Sequence, residues 1–406
     1  MVQRVTSGIP RARRARGSWG ARLALLGVFW TLGASCASRP LPTHPQPADR
    51  VADAEAQQRR ALAHDEKTYG PEDPKVATDL NNLAVLLQDT NRLAEAEPLL
   101  RRALAIDEKS YGPQHPEVAT DLVNLAHVLK ASDRLAEAEP LLRRALAIDE
   151  KSYGPEHHEV ATDLNNLALL LQATNRPAEA EPLMRQALAI DEKSYGPEQH
   201  EVAIDLNNLA HLLKAANRFA EAEPLMRRTL AIDEKSYGPE HHEVAIDLNN
   251  LARLLEDTNR AAEAEPLLRR ALAIDEKRYG SQHPEVATVL NNLAHLLQAT
   301  NRPAEAEPLM RQALAIDEKS YGPQHPEVAI DLNNLALLLA ATNRLDEAEP
   351  LMHRALEISL DSQRRNGYED PQQGAALENY RQLLRAMGNS EAKIEATIAA
   401  LVHSSP

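Results

Sequence analysis

Apolar residues along this chain fall into two single-sided helical stripes, and the pair returns every 42 residues. In one copy, Val118, Leu122, Leu125, Ala126 and Leu129 are spaced i, i+4, i+7, i+8 and i+11. Ala138, Leu141, Leu142, Ala145 and Ile148 follow at i, i+3, i+4, i+7 and i+10. Neither stripe alternates with period two, so both read as amphipathic helices. The punctuation agrees. His115-Pro116 puts proline at the first helical position, where its missing N–H costs nothing. Ala131 to Arg134 is a short polar break, and Tyr153-Gly154-Pro155 ends the second helix. Pro140 is expected inside the opening turn of that helix, where it need not kink it. Tyr-Gly marks the beat at Tyr69, Tyr111, Tyr153, Tyr195, Tyr237, Tyr279 and Tyr321. A period of this length signals stacked repeats, because one hairpin cannot bury its own stripe and neighbours must bury it together.

The order L-x-x-L-A-x-x-L in helix A, then alanine opening helix B with leucine and alanine four and seven residues on, resembles the tetratricopeptide repeat. The longer unit DLNNLALLLQATNRPAEAEPLMRQALAIDEKSYGPEQHEVA, Asp163 to Ala203, is similar to the 42-residue subtype of kinesin light chains. The resemblance implies an all-α fold, a right-handed α-α superhelix (TPR solenoid) of about seven full hairpins with capping helices at both ends. It spans residues 51–402: an N-terminal half repeat at 51–70, seven repeats at 71–362 and a C-terminal cap at 371–402. Helix A is expected to begin near Pro74, Pro116, His158, His200, His242, Pro284 and Pro326. Gln57 and Gln58 stand where later copies carry leucines, as suits a cap turned toward water. The last helix B is expected to decay after Ile358 into a polar loop, Gln363 to Gln373. Glu378 to Ala392, ENYRQLLRAMGNSEA, resembles the terminal helix A of such arrays. Helix A carries leucines where bulky aromatics are common in the family.

The ends change the picture. Residues 1–36 hold six arginines and no acid, then the apolar run Leu23 to Leu32, then Gly33, Ala34, Ser35 and the chain's only cysteine, Cys36. This is the build of a secretory signal peptide, too short in its apolar part to span a bilayer comfortably. LGASC resembles a bacterial lipoprotein signal, with Leu32 one residue further from the cysteine than usual, so lipidation at Cys36 is expected. Cleavage near Ala37 and an uncleaved anchor are the alternatives. Residues 37–50 read as a proline-rich tether. The expected location is therefore export, with a lipid anchor at a bacterial membrane facing the periplasm or exterior. Without the first 36 residues, 39 basic residues face 60 acidic ones, a net charge of −21. Such a surface repels nucleic acid. One cysteine excludes an intramolecular disulfide.

Chemistry is sparse. No P-loop, nucleophile elbow, HExxH or CxxC occurs, so an enzyme is not expected, nor a cofactor, a metal or a small-molecule substrate. Asparagine pairs recur in helix A although asparagine is a mediocre helix former. The second of each pair is expected to hydrogen-bond the neighbouring repeat. The first (Asn81, Asn165, Asn207, Asn249, Asn291 and Asn333) points to the concave wall, which the resemblance implies is a peptide groove; a plain solvated surface is the alternative. His127, His211, Arg253 and His295, with Lys130 and Lys214, give that wall a mildly basic character against an acidic body. An extended acidic polypeptide is the expected guest, steered by Lys130, Lys214 and Arg253. His157-His158 and His241-His242 are read as capping and loop packing, and the Asp-Glu-Lys triplets as a solvated helix end. The expected function is a protein-binding scaffold. The alternatives are a structural spacer or assembly subunit of a membrane-associated complex using its convex face or ends, and a cytoplasmic adaptor should the start be misassigned.

Overall fold

A computed structural model describes residues 47–366 and 373–403, and the described residues form helices and no strand. The signal segment, Cys36 and most of the tether lie outside them. Two compact units result, Ala48–Pro155 and Glu156–Pro406. The first holds α1 (Pro47–Tyr69), α2 (Pro74–Asp89), α3 (Leu93–Tyr111), α4 (Pro116–Ala131) and α5 (Leu135–Tyr153). The second holds α6 (His158–Ala173), α7 (Pro177–Tyr195), α8 (His200–Ala215), α9 (Phe219–Tyr237), α10 (His242–Asp257) and α11 (Ala261–Tyr279). It continues with α12 (Pro284–Ala299), α13 (Pro303–Tyr321), α14 (Pro326–Ala341), α15 (Leu345–Asn366), α16 (Gln373–Ala386) and α17 (Glu391–His403). Even-numbered helices from α2 to α14 are the A helices, and each begins at the residue expected.

Each A helix stops in the same way. After α2, Asn91 takes φ 56°. Its N–H donates to the Gln88 carbonyl at 2.9 Å, and the Arg92 N–H to that of Leu87 at 2.8 Å. This is a Schellman closure with asparagine in the left-handed position usually given to glycine. Each B helix from α3 to α13 ends on a glycine at φ between 85° and 94°, where any side chain would be strained.

Within each unit, a core patch joins one hairpin to the preceding B helix. Val202, Ala203, Leu206 and Ile232 pack with Leu188 of α7 and Leu225 of α9. Val76, Ala77, Leu80, Ala103 and Ile106 do the same with Leu62 of α1 and Leu99 of α3. Neither hairpin nor cap is self-sufficient, which is how a nearest-neighbour stack is held.

Three boundaries differ from expectation. α1 begins at Pro47, inside the stretch assigned to the tether. α15 runs on to Asn366, so Gln363 to Asn366, taken as the start of a polar loop, are its last turn. Pro140 is the sixth residue of α5, past the opening turn. Pro140 and Ala136 are both exposed, so the carbonyl deprived of its partner faces water and the helix continues.

Candidate functional site

Three positions per A helix, one turn apart, share one face. In α10 these are Asn249, Arg253 and Glu256; in α8, Asn207, His211 and Lys214; in α12, Asn291, His295 and Gln298. These helices belong to one unit, and their charges act on one another. His211 lies below its usual range because burial disfavours its cation and Lys214 and Arg253 repel it. His295 is lowered by desolvation and by Arg253. Desolvation and Asp257 raise Glu256, against the opposing pull of Arg253 and Lys214. His127 and Lys130 belong to α4, in the other unit. There burial lowers Lys130, which has no carboxylate partner among the described residues.

The expected roles change in detail. Lys214 is not a free steering charge, since its ammonium pairs with Asp257 at 3.0 Å. The first asparagines were expected to offer their amides to a guest, but several are spent between repeats. Asn81 donates to Asp121, and Asn165 to Asp205. Asn291 donates to Asp331 at 2.6 Å. Two of the second asparagines reach the neighbour as expected: Asn292 donates to the Asn249 Oδ1 at 2.7 Å, and Asn124 to that of Asn81 at 3.5 Å; Asn379 of α16, outside the pairs, donates to that of Asn333 at 3.4 Å. Thus a ladder of amides and carboxylates links consecutive A helices within each unit.

The ladder is incomplete. Asp121, Asp205 and Asp331 accept from the preceding A helix, whereas α12 carries Val289 at that place. Asn249 therefore lacks the acceptor that the ladder supplies to Asn81, Asn165 and Asn291. One turn on, Arg253 is exposed and has no carboxylate partner among the described residues. By contrast, the arginines of the A-to-B turns are clamped. Arg218 holds Glu221 at 2.7 Å and Glu181 at 2.6 Å, and Arg260 holds Glu263 at 2.7 Å and Glu223 at 2.6 Å.

Sequence reasoning missed the buried aspartates. The Asp of each Asp-Glu-Lys triplet was read as solvated, yet Asp107, Asp191, Asp233, Asp275 and Asp317 are all buried. The Glu and Lys beside them do meet solvent. The histidine expectation holds in part, because His115, His157, His241, His283 and His325 accept from the backbone N–H two residues on and cap their helices. His200 and His242 do something else, each placing Nδ1 3.0 Å from a buried aspartate, Asp233 and Asp275.

The family model described as tetratricopeptide repeat matches at residues 46–109, 80–151, 117–193, 165–235, 201–277, 248–319 and 285–361. Among solved structures, a kinesin light chain-type protein of Podosopora anserina with nearly identical TPR-like repeats is 29% identical. It covers 50% of this chain and 97% of its own, with a TM-score of 0.46. BtubC (BKLC) from P. vanneervenii is 24% identical over 57% of this chain and 91% of its own, with a TM-score of 0.48. The apo quorum sensor NprR from B. thuringiensis is 11% identical, covers 87% of this chain and 99% of its own, and has a TM-score of 0.58. No curated protein sequence matches.

Proposed function

The chain belongs to the tetratricopeptide repeat family, and on that premise we propose that it is a non-enzymatic scaffold that binds an extended, acidic polypeptide segment across α8, α10 and α12. The observation that carries this reading is the coincidence of two unspent donors on α10. Val289 removes the acceptor of Asn249, and Arg253 one turn away has no carboxylate partner among the described residues. The unspent Nδ2 donor of Asn249 suits a carbonyl of a guest backbone, and a planar guanidinium suits a guest carboxylate. The same donor is spent inside the protein at Asn81, Asn165 and Asn291, and the arginines of the A-to-B turns are clamped by glutamates, so α10 differs from those repeats.

The test uses the full chain and a fluorescent peptide in which glutamate alternates with small apolar residues, with its glutamine counterpart as control. Arg253→Glu is expected to weaken binding of the acidic peptide by about 10-fold or more, equivalent to ~1.4 kcal/mol. Arg278→Glu, which changes a side chain lying over Tyr279, is expected to leave it alone. Equal binding of both peptides, or indifference to Arg253→Glu, would overturn the reading in favour of a structural spacer. The regular Arg–Glu clamps of the A-to-B turns are the observation on the spacer's side.

Export and lipidation at Cys36 belong to the same proposal. Trp19 and Trp30, the chain's two tryptophans, both lie in the segment to be removed. The mature protein is therefore expected to show no tryptophan fluorescence, and an emission from it would exclude cleavage at that site.

A further inference from the structure

We propose that the interfaces between repeats are proton-loaded: a buried aspartate of helix B and one of the following helix A hold a single proton between them, and the stack loosens reversibly when that proton leaves. The clearest case joins α13 to α14. Asp317 and Asp331 are 7% and 2% exposed and within hydrogen-bonding reach of each other. Asp331 accepts from Asn291 at 2.6 Å through Oδ1, which leaves Oδ2 with no donor, and Oδ1 of Asp317 has none either. Two acceptor oxygens without a donor, both out of water, cannot both stay ionised at low cost, whereas one proton satisfies both.

Among the described residues no ion pair joins a cation to either carboxyl. Around this pair stand Asn291 of α12, Glu318 of α13 and Glu327 of α14, and Glu318 is itself held by Arg354 of α15 at 2.6 Å. The same orphan oxygens recur at Asp191 and Asp205, faced by Glu159, Asn165, Glu192 and Glu201, with Glu192 taken by Arg228 at 2.5 Å. They recur in the other unit at Asp107 and Asp121, faced by Asn81, Glu108 and Glu117, with Glu108 taken by Arg144 at 2.7 Å.

Two interfaces are built differently, and they support the rule. Helices α6, α8 and α10 begin with histidine instead of proline; at α8, His200 places Nδ1 3.0 Å from Asp233, beside Asp247, Glu234 and Glu243. At α10, His242 places Nδ1 3.0 Å from Asp275, near Glu285. In that second case the partner acid is absent, because Val289 occupies its place. The chain thus meets the buried carboxyl with a second carboxyl, an imidazole, or both, and each solution needs a proton.

Burial first, then neighbouring acids, push Asp107 and Asp191 up to about 7 and Asp205 and Asp317 to about 8. These folded values lie above the roughly 3.9 of an unfolded aspartate. The stabilisation is therefore complete at acid pH and is lost as pH rises through about 7 to 8. His200 and His242, also raised, have the same sign. His211, His283 and His295 are lowered and act oppositely, but only as pH falls through the ordinary imidazole range. The interval from pH 6.5 to 8.5 thus leaves out the lowered histidines, while His200 and His242 act there in the same direction as the pairs.

The experiment compares the full chain with a triple variant, Asp121→Asn, Asp205→Asn and Asp331→Asn. Each pair is expected to cost the wild type roughly 4- to 25-fold in its folding equilibrium between pH 6.5 and 8.5, and the triple variant should lose the share of the three pairs it breaks while keeping that of Asp233–Asp247, His200 and His242. Infrared difference spectra of the folded wild type, which need no variant, should show a protonated-carboxyl absorption at pH 6.5 that falls roughly 4-fold or more by pH 8.5. No such band, or an unchanged pH slope in the triple variant, would overturn the proposal. If the triple variant fails to fold, Asp331→Asn alone is expected to remove part of the band, and a full-intensity band would equally overturn it.

Discussion

Leu206→Ala is expected to cost about 2–5 kcal/mol and to split the thermal unfolding of the Glu156–Pro406 unit into two transitions. Leu206 has no exposed surface and sits among Val202, Ala203 and Ile232, with Leu188 of the preceding B helix packed against them. Truncation removes methyl and methylene contacts from both sides of a repeat boundary at once. Because helices α7 to α9 cannot be braced by distant parts of the stack, the loss stays local, and the array should part there before it melts elsewhere. Calorimetry and hydrogen exchange of α8 against α14 would show it: faster exchange confined to the damaged boundary is the expected result. A loss below 1 kcal/mol with a single transition would mean that stability is pooled over the whole unit.

That lesion could be chosen from the sequence, and the reason is physical. Leu206 repeats Leu122 of the copy first analysed, 84 residues on, and a fixed spatial neighbour follows from a fixed spacing when every unit has the same two helices. Helix starts were legible because His-Pro and Tyr-Gly act locally. The candidate site was less so. Side-chain type argued that Asp149 was solvated, whereas its spacing, four residues after Ala145 and adjacent to Ile148, put it on the stripe; it is 8% exposed. Position outweighed chemistry, because a rigid stack buries whatever occupies the interior face and the proton supply adapts. The pairing of Asn291 with Asp331, 40 residues away, could be inferred only once both were known to face the same boundary. Lys214 was misread for a similar reason, since Asp257 belongs to the neighbouring repeat and sequence distance conceals it.

Replacing a single atom group should reveal how tightly those boundaries are specified. In Asn165→Asp the shape is preserved, but the Nδ2 donor to Asp205 becomes an acceptor oxygen. Asn165 and Asp205 are each 2% exposed, so water cannot restore the lost bond. At pH 8.5 the boundary would hold three carboxyls, Asp191, Asp205 and the new one, with Glu201 and the Arg228-bound Glu192 nearby. The expected cost is on the order of 3 kcal/mol or more, the range for a buried charge stripped of its partner. Near pH 5.5 a proton on the new carboxyl rebuilds a donor at the position Nδ2 held, and most of the loss should disappear. Asn165→Leu removes the donor without adding charge, so its smaller penalty should respond to pH no more steeply than the wild type. Denaturant unfolding of the three proteins at both pH values separates these cases. Equal losses for the two substitutions at pH 8.5 would show that packing, not the supply of protons and donors, sets the strength of this boundary.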